Sequence, residues 1–138
     1  MVAFCCYDPS TDGSGGIHLW YEALAPKIRS AIDATLELMA VETTLDEHPS
    51  FKPLRGKCRG LAEIKIDIEI KDSKNPKRTH KIHVRILGPH NPPTKEFLLL
   101  TGFLKRGGPD YGPMCKQAHN RTRGVQRNEQ KSKICRFP

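Results

Sequence analysis

No apolar run in this chain approaches the roughly 20 residues needed to cross a bilayer, so a membrane span is not expected. The opening "MVAFCCYDPS" has no basic segment ahead of its apolar residues, so a secretory signal is not expected either. The five cysteines include no Cys-x-x-Cys pair, and His80 and His83, three apart on a strand pattern, point to opposite faces. No paired-ligand spacing for zinc exists, and neither a metal nor a cofactor is expected. The odd cysteine count and the adjacency of Cys5 and Cys6 lead to an expectation of reduced thiols throughout, in a cytoplasmic protein. No Gly-Lys-Ser/Thr sequence follows Gly102 or the pair Gly107–Gly108, which therefore read as backbone devices rather than a phosphate-cradling loop. A serine or cysteine nucleophile lacks any local motif.

Positive charge is scarce in one part of the chain and abundant in the other. Residues 1–50 hold two cations, Lys27 and Arg29, against eight acids, a net of −6. Residues 51–138 hold 21 cations against seven acids, a net of +14, which gives the overall +8. Such asymmetry points to a polyanion-facing surface on the second part, with nucleic acid as the first candidate, and a separate protein-binding surface on the acidic part.

The chain's 138 residues suit one domain with a real core. Ala3–Tyr7 reads as a short strand ended by the turn-rich "DPSTDGSGG". From Ile17 the pattern is helical: Leu24, Ile28, Ala31, Ile32, Thr35 and Met39 recur at three- and four-residue spacing. Pro26 fits a first turn better than an interior, which predicts two helices or one broken there. "LAEIKIDIEI" alternates Ile64, Ile66, Ile68 and Ile70 with Glu63, Lys65, Asp67 and Glu69, a half-buried strand. "HKIHVRIL" alternates again, with Lys81, His83 and Arg85 on one face. "EFLLLTGF" is apolar on both faces and reads as one interior strand. A helix through Met114, Cys115, Ala118 and Thr122 follows, with Gly124 as its terminator. These elements predict an α+β domain over residues 1–124. N-terminal helices pack on one face of a small, mostly antiparallel sheet, a short helix closes the domain, and a basic, flexible tail covers 125–138.

In that arrangement the isoleucine faces meet the helices, and Glu63, Lys65, His83 and Arg85 share the opposite, open face. Lys105 and Arg106 leave the last strand at its edge, and "LRGKCRG" adds Arg55, Lys57 and Arg59. Guanidinium and ammonium groups gathered this way pair with phosphate oxygens and stabilise a pentacovalent phosphate without a metal. RNA cleavage also needs a proton carrier; His83, His119 and Tyr111 are the candidates, with Glu63 orienting a cation.

"FKPLRGKCRGLAEIKI", "HVRIL", "FLLLTGFLKR" and "AHNR" occur in an order that resembles the RelE/HigB superfamily of type II toxins, in its phage-derived branch. The resemblance covers about Phe51 to Arg123. It implies a ribosome-dependent mRNA endoribonuclease silenced by a cognate antitoxin protein. By position it assigns Lys65 to the strand cation, Arg85 to the main phosphate-binding arginine, Lys105 and Arg106 to a Lys-Lys pair, and Arg121 to the arginine of the final helix. It also implies an alternative, a non-catalytic member of the fold that inhibits a protein target such as DNA gyrase or simply binds nucleic acid.

Overall fold

The computed structural model describes residues 1–9, 15–90, 95–105 and 111–126, and the backbone of 131–134. Its elements are a strand β1 (Ala3–Asp8), helices α1 (Ile17–Glu22) and α2 (Pro26–Ala40), and strands β2 (Phe51–Pro53), β3 (Leu61–Lys71) and β4 (Thr79–Pro89). Then come β5 (Glu96–Leu99), β6 (Thr101–Lys105), helix α3 (Tyr111–Gln126) and strand β7 (Lys131–Ile134). The fold is α+β. An antiparallel sheet has the order β2-β3-β4-β6, and a second sheet has the order β5-β1-β7, with β1 and β5 parallel. Among the described residues no helix is long and apolar enough to cross a membrane.

Pro26 sits in the first turn of α2, where its missing N–H has no intrahelical partner to lose. The helix buries Ile28, Ile32, Leu36 and Met39, a stripe at four-, four- and three-residue spacing. That stripe meets Ala62, Ile64 and Ile66 of β3 and Val84 and Ile86 of β4 in the larger core. Each of the buried Ile, Val, Leu and Met side chains contributes about 1.5–3 kcal/mol. Trp20 of α1 lies against Gly102, where any side chain would strike its indole ring. Strands β3 and β4 pair over their whole length, from Leu61 opposite Pro89 to Lys71 opposite Thr79. Side chains alternate, so their even-numbered residues face α2 and their odd-numbered residues face away.

Four sequence expectations need correction. The run "EFLLLTGF" is not one strand: β5 joins β1 while β6 joins β4, with the break at Leu100. Both halves are buried, which is why the segment is apolar on both sides. The tail does not begin at 125 as a flexible extension: α3 continues through Gln126, and Lys131–Ile134 pairs with β1. Gly124 is buried within α3 and does not terminate it. The cysteines are not all reduced. Cys58 and Cys115 form a disulfide with their Cα atoms 5.3 Å apart, Cys6 is also disulfide-bonded, and Cys5 is free. Packing of α3 on the 3₁₀ turn Gly56–Cys58 brings Cys58 and Cys115 together across 57 residues, a contact that no local spacing reveals. The cytoplasmic expectation rested on reduced thiols and loses that support.

The odd-numbered face is divided by α3. A second core of Leu61, Leu87, Leu100, Phe103, Cys115 and Ala118 covers its inner end. Outward from Glu63 the face is open, and the charged residues begin there.

Candidate phosphate-binding site

Register fixes the floor of the site. Lys65 lies directly opposite Arg85, so the two cations share one face, as the alternation of both strands requires. Like charges on one rung repel, and the sequence offsets this by placing Glu63 and Asp67 on the diagonal positions to either side of Arg85. Asp67 Oδ1 accepts a hydrogen bond from Arg85 Nη1 at 2.8 Å and lies 2.8 Å from His83 Nδ1. Glu63 Oε2 accepts the Tyr111 hydroxyl at 2.6 Å and lies 3.9 Å from Arg85 Nε. Arg85 Nη1 also donates to the Val84 carbonyl at 2.9 Å.

Burial sharpens these contacts. The Arg85 and Glu63 side chains are only 8% and 5% exposed, whereas Asp67 is 56% exposed. Arg85 Nε is buried and has no hydrogen-bond partner among the described residues. Such an unmatched donor is costly in a protein interior. Burial works to lower the Arg85 pKa, but its hydrogen bonds to Asp67 and Tyr111 outweigh that, and the pKa is raised. At Asp67 burial works upward, and the hydrogen bonds to Arg85 and then His83 bring its carboxyl below the ordinary value. Burial, followed by the hydrogen bond to Glu63, pushes the Tyr111 phenol up to about 12.

Lys105 ends β6 beside this floor, opposite His83 in the register, with its Nζ 5.4 Å from the Tyr111 ring centroid. Tyr111 in turn packs edge-on against Phe103, 5.4 Å between centroids. An open cleft of about 440 Å³ joins Lys65, Arg85, Lys105, Tyr111 and Glu63 to Arg55 and Lys52, with Leu54 and Cys58 in its wall. Five cations and one carboxylate therefore line a single opening.

Of the residues expected from sequence, the structure gathers Arg85, Lys65, Lys105, Tyr111 and Arg55 into this cleft. His83 stands one rung outward on the same face, held by Asp67, and does not line it. His119 lies elsewhere, with Nε2 3.3 Å from the Lys57 carbonyl oxygen, so it does not serve this site. Lys57 and Arg59 are exposed but outside the cleft walls. Arg121 is absent from the cleft because its guanidinium packs over the Tyr7 ring and bonds the Leu100 carbonyl. Arg106 lies outside the described residues.

Three contributors escaped sequence reading. Lys52 sits directly opposite Glu63 on β2, a strand of three residues with no alternation to detect. Asp67, not Glu63, is the hydrogen-bonded partner of Arg85; its place in the alternating run was the available signal. Cys58 enters only through the fold. Compared with family models, curated proteins and solved structures, the chain matches none of them.

Proposed function

We propose that the cleft binds the sugar–phosphate backbone of RNA and cleaves it without a metal ion. The observation that carries this reading is the convergence of Lys65, Arg85 and Lys105 on one opening with Glu63 at its floor. A phosphodiester over the Lys65–Arg85 rung would meet the ammonium groups of Lys65 and Lys105, with the Arg85 guanidinium in the wall behind them. Those groups stabilise the charge that develops on the equatorial oxygens. The 2′-oxygen attacks phosphorus and gives its proton to Glu63; the bond from phosphorus to the 5′-oxygen breaks, and the Lys105 ammonium in the cleft wall protonates the departing oxygen. The products are a 2′,3′-cyclic phosphate and a 5′-hydroxyl end.

A second reading is a binder that does not cleave. It is favoured by the 2.6 Å hydrogen bond from Tyr111 to Glu63, which occupies the carboxylate needed as base. The resemblance to RelE/HigB toxins adds mRNA on the ribosome as substrate and an antitoxin as silencing partner. The disulfides favour an oxidising setting and so weigh against the ribosome as the place of action, which leaves single-stranded RNA as the substrate of this reading.

The test uses a single-stranded RNA oligonucleotide in EDTA. Wild-type protein is expected to bind it with steep salt dependence and to release cyclic-phosphate products. Lys65→Ala and Lys105→Ala, both at partly exposed positions, should each reduce the salt slope by about 0.7. Unchanged slopes in both variants overturn the site; binding with intact RNA selects the second reading.

A further inference from the structure

Arg121 lies ten positions beyond Tyr111 on α3, roughly 15 Å along the helix at 1.5 Å per residue. Its guanidinium sits 4.6 Å from the Tyr7 ring centroid and donates through Nη1 to the Leu100 carbonyl at 2.6 Å and the Thr101 hydroxyl at 3.3 Å. All of these partners are neutral. No carboxylate pairs with it among the described residues, and burial holds its pKa below the ordinary value. A cation drawn out of water without an anion carries an uncompensated desolvation cost.

The fork has five N–H donors, and the two contacts above use one nitrogen. Arg121 also lines an open groove of about 400 Å³ together with Pro113, Lys116, Gln117 and Asn120. Residues 113, 117 and 121, and residues 116 and 120, are four apart, so two rows line one flank of the helix. Gln117 Oε1 already accepts the Thr101 hydroxyl at 2.9 Å, which leaves its amide N–H groups as donors. The sequence of α3, Tyr111–Gln126, contains no acid to compete for these cations.

We propose that this groove is a second anion site, separate from the sheet cleft, that takes a phosphate ester. Arg121 and Lys116 supply the charge, and Asn120 and Gln117 supply neutral donors. The ligand chemistry is shared by a free nucleotide and by the backbone of an RNA strand. The proposal does not depend on cleavage, or on binding, at the sheet cleft.

Isotope-labelled full-length protein, followed by amide NMR, tests this with three probes: inorganic phosphate, adenosine 5′-monophosphate and a single-stranded RNA hexamer. Saturable shifts are expected at Lys116–Arg121 with inorganic phosphate. Lys116→Gln, at an exposed position, should weaken that binding roughly fivefold while leaving the rest of the spectrum in place. Asn120→Ala provides an independent variant that also spares the Arg121 packing. Shifts that never saturate, or that are identical in both variants, overturn the proposal. Equal affinity for mononucleotide and hexamer would assign the groove to free phosphate esters. A hexamer bound at least about tenfold more tightly would assign it to a strand.

Discussion

Arg85 and Arg121 are both withdrawn from water, and the fold treats them in opposite ways. Arg85 lies between two carboxylates, with Asp67 hydrogen-bonded and Glu63 close by, and its pKa is raised. Arg121 has a carbonyl, a hydroxyl and an aromatic ring, and its pKa is lowered. The first arginine is locally neutralised and still retains one unmatched donor; the second is anchored through one nitrogen to neutral groups, and no carboxylate among the described residues matches its charge. A buried cation can thus be held for its direction or for its charge, and the two sites separate these uses.

The largest effect that would sharpen this contrast comes from α3, which borders both sites. Cys58→Ser with Cys115→Ser opens a constraint spanning 57 residues and is expected to cost about 3–4 kcal/mol in urea unfolding. RNA affinity should fall with it, because Tyr111 is one turn from Cys115. Next is the direct comparison. Arg85→Met strands the buried Glu63 carboxylate and should cost about 3 kcal/mol by chemical denaturation. Arg121→Met removes an unpaired charge and chiefly orphans the Leu100 carbonyl, so about 1–2 kcal/mol is expected. Equal costs would break the distinction drawn above.

Smaller effects concern the partners. Glu63→Gln should return the Tyr111 phenol from about 12 towards 10, read by ultraviolet absorbance titration. The neutral phenol is the favoured form, so its contribution to stability is complete below pH 10 and disappears as pH rises through about 12. The smallest expected change is at Asp67. Its folded pKa is depressed, so its contribution is present above the ordinary 3.8 and is lost as pH falls through the lower folded value. Because the side chain is 56% exposed, Asp67→Asn should remove only a few tenths of a kcal/mol at pH 6, and less as pH falls through the lowered folded value.

Strict alternation made β3 and β4 readable. It placed Lys65 and Arg85 on one face, and it placed Ile64, Ile66, Val84 and Ile86 against α2. The Pro26 position marked the start of α2 for a local reason, the missing N–H. What stayed hidden was non-local. Leu100 divides two sheets, but burial on both sides gives it no period to betray the break. Tyr111 reaches Glu63 across 48 residues, and Cys58 reaches Cys115 across 57. The charged face was expected to be open; α3 covers its inner end because Leu61, Leu87 and Phe103 continue the same alternation with apolar side chains. The candidate site was therefore legible as a set of cations and illegible as an enclosure.

The border of the four-stranded sheet at β2 is only three residues long and ends on Pro53. A proline there offers no amide hydrogen to a neighbouring peptide, and so short a margin gives an extended polypeptide little to zip onto. On this margin the polycationic floor gives an extended peptide little to pair with, while the exposed Lys52 there can still meet a phosphate.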